Sequence, residues 1–352
     1  MGLLGGAAIA LTPACNDAGG DGSDDGISSL ADEAPESGNT NVDTQTTDQG
    51  DGPKLDMIGN GDGGSGGDGP VDDGCDKVDF LFVIDSSVSM GDQQVALIAS
   101  FPGFMDTIEQ MLPANTDYRV MVVDTDGVSR CTPETCAAAS DANVIDLCIN
   151  DGRGGHACNG TFTACDTVLG AGVVHPSGEG SSNGICFNDP NRWIEGSDAQ
   201  RDEKFSCAAQ LGLAGHPSER PMDAMVAALQ PNINGGGGCN QGFLRDDAVL
   251  VVTFISDDPN YEDAGTPADW YNAVVTAKLG DPTAAVVLGL IPQAPDCSQK
   301  NGAISGMHWQ EFVGMFGDYG FYGSVCSPEY VSFFAEAVAI IADACDNYVP
   351  PG

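Results

Sequence analysis

The chain has 352 residues, room for one large domain or two small ones, with 12 Lys and Arg against 52 Asp and Glu and a formal charge of −40. That balance repels phosphate backbones and anionic membrane surfaces; it argues against a nucleic-acid partner and favours cations and basic surfaces. Its 13 cysteines, with no Cys-x-x-Cys spacing among them, weaken zinc and thioredoxin-like readings and favour a disulfide framework in an oxidising compartment.

The first 15 residues, MGLLGGAAIALTPAC, set a short apolar run and small residues ahead of Cys15. They resemble the end of a bacterial lipoprotein signal, in which that cysteine becomes the lipidated first residue. Lipidation of Cys15 would leave an even number of cysteines. No Lys or Arg precedes the run, and Thr-Pro-Ala departs from the usual Leu-led pattern, so an ordinary apolar N-terminus with an odd thiol stands beside this reading. No other stretch approaches the ~20 apolar residues of a membrane span. The expectation is a secreted protein or an outer-membrane or cell-surface lipoprotein of a bacterium, touching membrane only through its anchor. Residues 16–75 are mostly Gly, Asp, Ser, Thr and Asn, with Lys54 the only base, and read as a disordered, self-repelling acidic linker.

Residues 76–350 have the composition of a folded domain. "VDFLFVI" from Val78 reads as a strand buried on both faces. Val95, Ile98, Phe101, Met105, Ile108 and Leu112 then recur at helical spacing, with Pro102 expected to interrupt or kink that helix. "YRVMVV" completes a βαβ unit. From about 125 to 206 the periodicity dissolves into Gly, Asn, Asp and Ser around six cysteines, read as an insertion held by disulfides, in which Cys131 and Cys136 are close enough for a local bridge. Helices at "PMDAMVAAL", "DWYNAVVTAKL" and "EYVSFFAEAVAIIADAC" alternate with strands at "AVLVVTFIS", "AAVVLGLI" and, weakly, "GFYGSVC". The alternation predicts an α/β domain with a doubly wound, mostly parallel sheet flanked by helices.

In such a sheet, ligands sit beyond the carboxyl ends of the strands. Asp85, Ser87 and Ser89 stand at that end of the first strand, and spacing by two in an extended segment would point them one way. One carboxylate with two hydroxyls is hard oxygen chemistry, suited to Mg2+, Mn2+ or Ca2+, and further carboxylate comes from "VVTFISDD" in Asp257 and Asp258. The same residues also suit a helix cap, and Asp257 a turn. Asp124 and Asp126, in "DTDG", read as turn residues that can supplement the site.

Asp85-x-Ser87-x-Ser89 at the end of a buried strand, with Asp257 ending a second, resembles the metal-ion-dependent adhesion site of von Willebrand factor A domains. The likeness spans about Val78 to Cys345, and "FLRDDAVLVVTFISDD" with Cys207 resembles the cysteine-rich bacterial secreted type. The resemblance implies a doubly wound α/β fold and a bound Mg2+, with Ca2+ or Mn2+ as alternatives. It implies that Ser87 and Ser89 ligate the ion directly and that Asp85 and Asp257 act largely through water. A protein ligand's Asp or Glu would complete the shell. The family usually adds a Thr ligand before the middle helix; here "GHPSERPMDAM" offers Ser218 or Glu219 instead.

An adhesion or binding module is therefore the expected function, with a structural envelope or matrix protein, in which the metal only stabilises the fold, as the alternative. An enzyme is not expected. The four histidines lack metal-ligand spacing and read as surface loop residues, the two Gly-x-Ser-x-Gly matches lie in low-complexity sequence, and no phosphate-binding Gly loop occurs. A metal-dependent hydrolase would need a base that no residue supplies.

Overall fold

The computed structural model describes residues 75–125, 163–215, 220–257, 263–293, 297 and 306–351, all within the unit Gly67–Gly352. Cys15, the linker 16–74, Ser218, Glu219, Asp126, Asp258, Cys131 and Cys136 lie outside the described residues.

Six strands form one sheet in the order β3-β2-β1-β4-β5-β6. They are β1 (Lys77–Ile84), β2 (Asp117–Asp124), β3 (Ile194–Glu195), β4 (Val249–Ile255), β5 (Ala285–Ile291) and β6 (Gly320–Ser324). All neighbours are parallel except the edge pair β2–β3. The described helices are α1 (Gly91–Met111), α2 (Arg201–Ala209), α3 (Pro221–Ala228), α4 (Pro267–Ala277), α5 (Met307–Gly314) and α6 (Val331–Asn347), besides a single turn at Pro231–Asn234 and short 3-10 turns.

The central strands β1, β4 and β5 are mostly apolar, with Lys77, Asp79 and Thr253 as polar exceptions, and helices cover both of their faces. From β1, Val78, Phe80, Phe82 and Ile84 enter one core with Phe101 and Phe104 of α1, Phe205 of α2 and Phe334 of α6. Leu81 and Val83 enter the other, with Met222 and Met225 of α3, Trp270 of α4 and Trp309 of α5. This period-two division is what a doubly wound sheet requires.

Among the described residues four disulfides form: Cys75–Cys345, Cys165–Cys239, Cys186–Cys207 and Cys297–Cys326. They fit the expected oxidising compartment. No helix among the described residues is long and apolar enough to cross a membrane.

Three expectations need correction. The cysteine-rich segment, in which the sequence showed no periodicity, holds β3 and most of α2. α1 is not interrupted at Pro102, and Val95, assigned to its buried face, is 67% exposed, while Gln93 and Gln94 turn inward. His175 is buried, not a surface residue.

Candidate functional site

The sheet order changes direction between β1 and β4, since β2 lies to one side of β1 and β5 beyond β4. Crevices at such switch points, beyond the strands' carboxyl ends, are where open α/β sheets take ligands. Ile84 is in register with Ile255, so the chains leave β1 and β4 side by side. The Asp85 N–H extends the ladder by donating to the Ile255 carbonyl at 3.0 Å, and Ser256 N–H donates to Leu290 O at 3.2 Å. Asp85, Ser256 and Asp257 are thereby fixed at one spot.

The Asp85 carboxylate is wholly buried. Its Oδ1 accepts the Ser87 N–H at 2.7 Å and its Oδ2 the Ser256 hydroxyl at 2.8 Å. These donors are neutral. Burial pushes the Asp85 carboxyl up to about 8; the Ser87 and Ser256 hydrogen bonds pull it back, and the like charge of Asp257 adds to the rise.

The hydroxyls converge, but not by strand alternation. Ser87 is extended, at φ −66° and ψ 164°, and Val88–Met90 then wind into a 3-10 turn. That turn brings Ser89 Oγ to 3.1 Å from Ser87 Oγ and lets it donate to Asp257 Oδ1 at 2.7 Å. A chain of oxygens thus runs Ser87–Ser89–Asp257 beside the buried Asp85. The alternative helix-cap role is not what the serines do: neither Ser87, at the cap of the 3-10 turn, nor Met90, at the cap of α1, makes a side-chain capping bond. Asp85 does close a local turn onto Ser87 N–H.

Neighbours that sequence reasoning passed over hold the turn in place. Ser86 donates to Asp124 Oδ1 at 2.7 Å, which gives that expected turn residue a place beside the site. Gln94 Nε2 donates to the Asp85 carbonyl at 3.0 Å and to Gly212 O at 2.9 Å, while Gly212 N–H donates to Gln94 Oε1 at 3.0 Å. Gly215 N–H donates to Ser86 O at 3.0 Å, and a Cβ on Gly215 would lie 2.2 Å from Ser86 Oγ, so only glycine allows this approach. Ser256 carried a signal, standing next to Asp257 at the end of a strand paired with β1. Gln94 and Gly215 carried none.

Two carboxylates and two hydroxyls, one carboxylate buried among neutral donors, make a set suited to a hard divalent cation. Among the described residues there is no group of three His, Cys, Asp or Glu able to hold a metal, so a cation at this spot would need hydroxyl oxygen as well. No protein-family model matches the chain, and no curated protein does.

Proposed function

We propose that the chain is a von Willebrand factor A-type binding module that holds one divalent cation, Mg2+ before Ca2+ or Mn2+, with Asp85, Ser87, Ser89 and Asp257, and engages a carboxylate on a protein partner. The observation that carries the reading is the fully buried Asp85, met among the described residues by neutral donors, beside the Ser87–Ser89–Asp257 oxygen chain at the switch point. When bound, the ion supplies positive charge against both carboxylates and a coordination position for an outside oxygen. Ser218 or Glu219 remains the sequence-based candidate for a further ligand. In this proposal Cys15 carries a lipid, and the acidic linker holds the module away from a bacterial surface.

The full burial of Asp85 favours a second reading, an ion that only ties strand ends in an envelope or matrix protein. The exposure of Ser89 favours an ion that an outside ligand reaches. Calorimetric titration of the oxidised full chain with Mg2+, Mn2+ and Ca2+ tests the site. Stoichiometric binding that disappears in Asp85→Ala is expected; no binding of any of the three ions removes the proposal.

A further inference from the structure

At the end of α1 remote from the Asp-x-Ser-x-Ser turn lies a cleft of about 390 Å3, formed with the stretch that joins β3 to α2. Its volume falls in the ~300–1,000 Å3 range typical of ligand pockets. Part of its lining is aliphatic: Ile108 and Leu112 at the end of α1, then Pro113 and Ala114. Tyr118 and Gly196 form another part, and they are already packed together. The Gly196 N–H donates to Tyr118 O at 2.7 Å, and a Cβ on Gly196 would lie 2.1 Å from the Tyr118 ring.

The surroundings of this cleft are negative. α1 has no basic residue in its last turn. The Leu112 N–H meets Ile108 O at 2.9 Å, and among the described residues no donor reaches the carbonyls of Glu109, Gln110 and Met111. These carbonyls carry the partial negative charge of a helix C-terminus. Glu109, also in the lining, adds a full charge. The Tyr118 hydroxyl and Arg201 Nη1, both donating to its Oε1 at 2.5 Å, hold its carboxyl below the ordinary value. Arg201 does not cancel that charge, because Asp202 shares its guanidinium at 2.9 Å. Nearby Lys204 is likewise shared, between Asp189 and Asp198. Two cations thus stand among four carboxylates, and the Glu109 side chain is 47% exposed and open to a ligand.

We propose that this cleft receives one lysine or arginine side chain of a protein partner, its methylene stem on the aliphatic lining and its charged head at Glu109 and the carbonyl end of α1. The negative surroundings select a cation, and the aliphatic lining selects one carried on a long stem. The inference does not rest on the cation-binding reading above, since that site lies at the opposite end of α1.

The probes are end-capped tripeptides, Gly-Lys-Gly and Gly-Arg-Gly, beside Gly-norleucine-Gly, which keeps the stem and lacks the charge. Each is titrated into the isotope-labelled, oxidised full chain, and the amide shifts of Ala114, Thr116, Gly196 and Ser197 are followed by NMR. Saturable shifts at these amides with the two basic peptides, and none with the norleucine peptide, are expected. Glu109→Gln should weaken binding roughly fivefold, the scale of one partly exposed ion pair. Ala114→Trp, a change at an exposed position that fills the cleft, should abolish it. No saturable shift at the cleft overturns the proposal, as does equal binding of the norleucine peptide. Unchanged affinity in Glu109→Gln, or binding that survives Ala114→Trp, shows only attraction to an acidic surface and overturns it too. Should Glu109→Gln not fold, Ala114→Trp and the norleucine comparison decide.

Discussion

β1 carries a buried aspartate at each end, and the two are treated in opposite ways. Asp79, near its start, and Asp85, just past its end, are both fully buried. Asp79 comes with its own cation. Arg245 Nε donates to its Oδ1 and the Arg245 N–H to its Oδ2, each at 2.8 Å, and the same guanidinium reaches Asp117 Oδ2 at 2.6 Å. The buried Lys278 ammonium then donates to the Arg245 carbonyl at 2.6 Å. Burial pushes the Asp79 carboxyl up to about 6, with Arg245 drawing it down. Asp85, whose partners among the described residues are a hydroxyl and an amide, is pushed up to about 8, chiefly by burial. One end of the strand is electrostatically closed from within the chain. At the other end, the described partners of Asp85 are the neutral Ser87 N–H and Ser256 hydroxyl.

Removing the internal cation tests the closed end and is expected to have the largest effect. Arg245→Met strands Asp79 in the core and breaks the link to Asp117, and loss of one partner of a buried pair costs about 3–5 kcal/mol. Urea unfolding of the oxidised protein should show that loss, with part of it recovered in the Asp79→Asn, Arg245→Met double variant. A loss below ~1 kcal/mol would mean that this end is not held by the pair.

The open end should respond to pH in the opposite sense from an ordinary ion-paired carboxylate. In chelator, folded Asp85 keeps its proton up to about 8, while the unfolded carboxyl loses it near 3.8. Between those values the folded state binds the extra proton, so stability falls as pH rises, by at most ~1.4 kcal/mol per pH unit. Asp79 and Asp263, each pushed up to about 6 chiefly by burial, add to the fall only below that pH. From pH 6 to 8 the falling part of the slope comes from Asp85. Burial holds His308 below its ordinary value of 6.5, which adds a rise with pH up to that value. The fall is therefore read cleanly from pH 7 to 8, where Asp85→Asn should flatten it in melts recorded at each pH. An identical slope in that variant would contradict the assignment.

The two ends also differed in how far the sequence revealed them. The strand exits were legible because β1 closes on the apolar run Phe80–Ile84, β4 is apolar but for Thr253, and both stop abruptly at oxygen-bearing residues, so Asp85, Ser87, Ser89 and Asp257 stood out. Their convergence came from a 3-10 turn, which local alternation does not encode. Arg245 was visible only as part of "FLRDDAVLVV"; that its guanidinium meets Asp79, 166 residues earlier, follows from parallel pairing of β1 with β4 and not from any local pattern. α2 was hidden because its apolar face is only Phe205, Ala208 and Ala209, too short a period to rise above the cysteine-rich sequence around it. Val95 was misplaced for a related reason. Gln94 faces inward to bind the Asp85 carbonyl, and a buried polar residue is invisible to a reading based on apolar spacing.

Ser256 gives the finest test of the open end, with the smallest expected effect. Its hydroxyl donates to Asp85 Oδ2 at 2.8 Å and is one of the bonds that hold the carboxyl's rise in check. Ser256→Ala removes a donor that favours the ionised form, so the proton on Asp85 becomes harder to displace. A cation competing with that proton should bind more weakly at pH 7, by about 1 kcal/mol or roughly fivefold for a single lost hydrogen bond. At a pH well above the Asp85 value the proton is gone in both proteins, and the gap attributable to competition should close. Calorimetric titration with Mg2+ at pH 7 and pH 9 reads this directly. A difference that persists unchanged at pH 9 would mean that Ser256 acts on the geometry of the site and not on the charge of Asp85.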